Sequence, residues 1–232
     1  MNVNTMISSN RNKIIFWGGI SALILVVGYL CTFPLYAWVG IAPQADTSTQ
    51  LKYFAEHSTG WWIIFGLMVF TDILYLPIYS ALYCKLKELN IILVRTAFML
   101  IIIFIFFDLI MTWYSHLILL INGIKMNGNI SGIEFTNLIT KSDNAIRILA
   151  SPYLGILVIV CPSIAVFAVS LILVQRKIFN LFTRYIGLLA GISGFLFLGT
   201  YFVKGLDILR IVNALLLTVW YGFIGYGLLK NN

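Results

Sequence analysis

The sequence predicts an all-α polytopic membrane protein with six transmembrane helices and both termini in the cytoplasm, on three observations. The 232 residues are 61% hydrophobic and 10% charged, against roughly 45–50% and about 25% in soluble domains. Mean hydropathy is +0.98, and several apolar runs exceed the roughly 18 residues that cross a bilayer. Residues 101–107, Ile-Ile-Ile-Phe-Ile-Phe-Phe, are apolar on every side, which suits a helix in lipid and not the alternating strand of a membrane barrel. A soluble globular protein is excluded by the same figures.

Lipid offers backbone groups no water, so each run must close its own hydrogen bonds as a helix. The spans are expected at 14–39, 61–83, 96–120, 153–174, 185–203 and 208–229, within a single transmembrane domain over 1–232. The first is longer than the roughly 7–15 residue core of a signal peptide, and Pro43 spoils the small-residue site after Ala42, so it is expected to remain in the mature protein. Trp17, Trp38, Trp61 and Trp62 fall at span ends, where an amphipathic ring prefers the interface.

Counted on alternate sides, one face collects Arg11, Lys13, Lys85, Lys87, Arg95, Arg176, Lys177, Arg184 and Lys230; the other collects Lys52, Lys125, Lys141, Arg147, Lys204 and Arg210. This bias, strongest in the short turns at Lys85-Leu86-Lys87 and Arg176-Lys177, puts both termini inside. The net charge of +7 therefore reports topology. No basic stripe forms, so nucleic acid is not an expected partner. The outer loops, 40–60 and 122–151, are each expected to hold a short surface helix. In the second, Phe135, Leu138, Ile139, Ile146 and Leu149 share one side at helical spacing. Asn129-Ile130-Ser131 has the form of a glycosylation acceptor. Cys31, Cys84 and Cys161 lack CxxC spacing and are expected as small core residues.

Ionisable residues inside spans are costly and mark functional sites by default. Asp72 lies about 16 Å past Trp61, and Asp108 lies about 20 Å past Arg95, so neighbouring helices can bring them together. Tyr75, Tyr79 and Tyr83 share a face with Asp72, and Pro77 is expected to bend that helix. Thr112, Ser115 and His116 form a second polar stripe above Asp108. Asp72, Tyr75, Tyr79, Asp108, Thr112 and His116 are the candidates for binding a proton or small polar ligand. No metal, cofactor or catalytic residue is expected, since no His/Cys/Asp/Glu cluster has ligand spacing.

Gly191-Ile192-Ser193-Gly194 matches the GxSG nucleophile motif of rhomboid intramembrane proteases. That family takes its base from a later histidine, and none follows His116. Gly187, Gly191, Ser193 and Gly194, with Gly222 and Gly225 in the sixth span, are instead expected to pack helices. Asn213 and Trp220 are interior candidates, and Lys204, Asp207 and Arg210 cluster at a turn.

Asp72-Ile73-Leu74 through Ala81-Leu82-Tyr83, then Arg95, then Gly187, Gly191 and Gly194, and finally Val219-Trp220-Tyr221 with Gly225, resemble an uncharacterised family of six-helix bacterial integral membrane proteins, a domain of unknown function. The resemblance implies six spans in a bacterial cytoplasmic membrane and brings no activity. Asp108, Thr112 and His116 are not among the residues that carry it.

Two functions stay open: a gradient-driven carrier or small-ligand-binding protein with a central site at Asp72 and Asp108, and a non-catalytic accessory protein whose polar residues are structural. An enzyme is the less favoured class. The lipid bilayer is the one definite partner. An oligomer or a partner subunit stays open beside it.

Overall fold

The structure is a computed structural model, and it describes residues 3–40, 42–43, 45–126, 128, 131–201 and 208–230, apart from the side chains of 3–9 and 201. Of the described residues 91% are helical, and none lies in a strand. In order come α1 (Val3–Val39), α2 (Thr47–Glu56), α3 (Ser58–Leu86), α4 (Ile91–Phe107), a π-helical segment (Asp108–Trp113), α5 (Tyr114–Met126), α6 (Gly132–Leu149), α7 (Pro152–Arg176), α8 (Leu181–Phe197) and α9 (Ile208–Lys230).

Among the described residues, six stretches are long and apolar enough to cross a membrane: Asn10–Val39, Ser58–Leu86, Ile91–Met126, Pro152–Arg176, Leu181–Thr200 and Ile208–Lys230. Five of the six begin before the expected first residue, and polar caps start two of them. Asn180, for example, accepts a hydrogen bond from Thr183 N–H at 2.7 Å and starts α8 four residues before Tyr185. Outward-facing Ile92, Ile110 and Phe182 are 73%, 52% and 66% exposed, a surface that lipid accepts and water penalises.

The largest departure is in the third span. A continuous α-helix is expected over 96–120, whereas six residues from Asp108 to Trp113 wind as a π-helix. Tyr114 N–H consequently reaches back to Leu109 O, five residues away. No residue type in the sequence announces this turn. Pro77 lies inside α3, which continues through it.

The chain divides into two compact units, Met1–Val27, Ile73–Ile105 and Gly155–Asn232 in one, Gly28–Asp72 and Phe106–Leu154 in the other. Each of the two segments expected to hold a short helix contains one, α2 and α6, and both belong to the second unit. Asp46 caps α2 by accepting from Thr49 N–H, and hydrogen bonds from Ser48 and Thr49 hold its carboxyl at about 2, below the usual 3.8. The cap is therefore intact above the ordinary carboxylate range and is lost as pH falls toward about 2. Ser131 and Glu134 form a reciprocal capping box on α6.

Leu51, Phe54, Trp61, Ile64, Trp113, Leu119 and Ala145 form the second unit's core. Thr47 donates to Asp143, and Asn122 to Ser142 at 3.0 Å, linking α2, α5 and α6. Of the residues expected on the apolar side of α6, Ile139, Ile146 and Leu149 pack on this core, but Phe135 is 43% exposed. Trp61, expected at the interface, is buried in the core, and Cys31, expected in the core, is exposed. Asn129, Ile130, Lys204 and Asp207 lie outside the described residues.

Candidate functional site

Asp72 and Asp108 are 1% and 4% exposed, and both belong to the second unit. Their carboxyls face each other within hydrogen-bonding reach. The π-helix explains what accompanies them. In an α-helix a residue five positions on points away, but i to i+5 winding stacks it above. Trp113 is thereby set over Asp108, and its Nε1–H donates to Asp108 Oδ2 at 3.3 Å. The same indole reaches Asp72, neither of whose oxygens has a well-aligned donor in the protein. Sequence reasoning missed Trp113, because at α-helical spacing it falls off the Asp108 stripe.

His116 stacks between Trp61, with centroids 5.3 Å apart at 20°, and Trp113, at 5.2 Å and 30°. Its Nδ1 lies 2.8 Å from Thr112 O. A carbonyl can only accept, so Nδ1 carries a hydrogen and donates it to Thr112 O. Trp61 Nε1–H in turn donates to Tyr53 OH at 3.3 Å, and that hydroxyl donates to Gly40 O at 2.9 Å. The Thr112 and Ser115 hydroxyls are buried without a hydrogen-bond partner in the protein.

Tyr75 and Tyr79 belong to the first unit. There Tyr79 OH lies 3.2 Å from Tyr221 OH, and the Tyr75 ring meets Tyr221 edge-on at 5.3 Å. A second polar cluster sits in the same unit. Asn213 Nδ2 donates to Ala190 O at 2.8 Å and lies 3.0 Å from Ser193 Oγ and 3.1 Å from Ser163 Oγ. Ser193 Oγ itself donates to Ala190 O, so its hydrogen is committed to a backbone carbonyl and its partners include no base. The GxSG segment thus tethers helices.

The glycines around it differ among themselves. A methyl at Gly187 would overlap Ser170 Oγ and Trp220 Nε1, one at Gly191 would overlap Phe167, and one at Gly194 would overlap Ser163. Ser163, Phe167 and Ser170 repeat at helical spacing along α7, so three glycines of α8 receive three successive side chains. A methyl at Gly225 would come within 2.9 Å of Gly19 O, whereas at Gly222 it would meet only Val26 Cγ2 at 3.7 Å, an ordinary contact.

Among the described residues, no three His, Cys, Asp or Glu side chains gather to hold a metal ion. Fold and site together define a multi-pass helical membrane protein with a buried carboxyl pair under an aromatic stack. No family model matches the chain, and neither a curated protein nor a solved structure does. The likeness to the six-helix bacterial family rests on the residues quoted above alone.

Proposed function

We propose that this protein is a gradient-driven membrane carrier that binds a proton at the Asp72–Asp108 pair. One observation carries the proposal: two carboxyls lie against each other, almost wholly buried, in spans where water is scarce. Two negative charges so placed repel strongly in a low dielectric. A single shared proton removes one charge and supplies the hydrogen bond that Asp72 otherwise lacks. Loss of that proton restores the repulsion, and the resulting difference in free energy is what a carrier uses to favour one conformation over another.

Dicyclohexylcarbodiimide, a lipid-soluble reagent selective for protonated carboxyls, tests this. In native membranes it should modify Asp72 or Asp108, as read by peptide mass spectrometry. Modification should fall to background in the Asp72→Asn/Asp108→Asn double variant, which should still fold because Asn keeps the size and much of the hydrogen bonding of a protonated Asp. An unmodified wild-type pair would favour the accessory-protein alternative, in which these residues only hold helices together.

We further propose that the protein lies in the cytoplasmic membrane with both termini inside, on the charge bias described above. A cysteine at Ser48 should then react with an impermeant maleimide added to intact cells, and one at Glu88 should not. The reverse pattern would invert the topology.

A further inference from the structure

We propose that water reaches the Asp72–Asp108 pair from the side of the bilayer on which α2 and α6 lie, along Thr112, Ser115 and His116. The proposal rests on the proton-binding role above, which it supplies with a route. Three observations support it. The Thr112 and Ser115 hydroxyls are buried without a protein partner, and Ser115 is 1% exposed. A buried hydroxyl left unpaired keeps its desolvation penalty uncompensated, and ordered water is its usual remedy. His116, one turn beyond Thr112, has Nδ1 committed to the Thr112 carbonyl, and this aims Nε2 elsewhere. Its ring is fixed between Trp61 and Trp113 and meets Phe54 of α2 at 6.5 Å, so the polar groups lead from Asp108 toward α2. In the opposite direction along the same span, residues 97–107 carry no polar side chain.

Accessibility of single cysteines to Ag+, a small cation that binds thiolates only where water admits it, tests the route. The variants are Thr112→Cys and Ser115→Cys in the full chain with Cys31, Cys84 and Cys161 replaced by alanine. Asn144→Cys on α6 and Glu88→Cys in the turn after α3 serve as side markers. Ag+ added to sealed vesicles on the side that protects Asn144→Cys should protect both thiols from later alkylation in detergent. Ag+ on the Glu88→Cys side should not, and Ile110→Cys on the lipid-facing surface should stay unprotected from either side. Thiols at 112 and 115 that remain alkylatable after Ag+ from the α6 side, or that are protected only from the opposite side, would overturn the route. Carbodiimide arrives through lipid, so such a failure leaves labelling of the pair, and hence the proton site, intact. If neither cysteine variant inserts, radiolytic footprinting of the wild-type protein decides. Oxidation of Trp113 and His116 well above that of the fully buried Trp220 supports the route, and equal rates overturn it.

Discussion

Gly187→Leu should yield no monodisperse protein, whereas Gly222→Ala should purify and melt at or slightly above the wild-type temperature. At Gly187 even the first carbon of a side chain overlaps Ser170 and Trp220, both fully buried. Overpacking a tight core costs about 1–3 kcal/mol for small insertions, and a leucine here must displace an indole that has nowhere to go. The expected loss is comparable with the roughly 5–15 kcal/mol that keeps an ordinary domain folded. At Gly222 the nearest atom is 3.7 Å from the added methyl, and alanine also favours the helix by about 1 kcal/mol. Size-exclusion profiles and thermal melts in detergent check both. A monodisperse Gly187→Leu protein with an unchanged melting temperature would show that α8 does not sit on α7 and α9 as described.

Asp72→Lys should be tolerated, and adding Asp108→Asn to it should be ruinous. Lysine beside Asp108 makes an ion pair of opposite charges where two like groups stood. Removing the carboxylate then leaves a buried ammonium with no partner, at a cost of about 3–5 kcal/mol. Steric strain from the longer side chain is common to both proteins, so the comparison isolates the charge. Thermal melts of the single and double variants give the difference. Equal stability would mean that the two positions do not face each other.

The spans were legible in the sequence because lipid burial is a matter of length and hydropathy, which a linear reading sees. The spacing of the glycines at 187, 191 and 194, which puts them on one face, is equally visible in a linear reading. The meeting of Asp72 with Asp108 was approachable from depth arithmetic, since both counts run along straight helices. What surrounds them was not. Trp113 reaches Asp108 only because the helix is wound one residue looser there, and Trp61 leaves the interface only because α2 and α6 enclose it. Tyr75 and Tyr79 share a face with Asp72 by angle, yet the partner they find is Tyr221, 142 residues beyond Tyr79. Angular position on one helix says which way a side chain points and not what another helix has placed there.

Winding of this kind has a meaning in chain length. A π-turn holds about one residue more than the α-turn it replaces, so the third span behaves as a straight helix carrying a single-residue insertion between Phe107 and Tyr114. Everything after it is turned by about 100° from where an uninterrupted helix would leave it. The face that α5 offers to α2 and α6, with Leu119, Leu120, Asn122 and Gly123 buried, is aimed by that extra residue. The carboxyl at the start of the turn and the docking of two surface helices beyond it are thus set by the same local excess of backbone, and neither can be re-registered without moving the other.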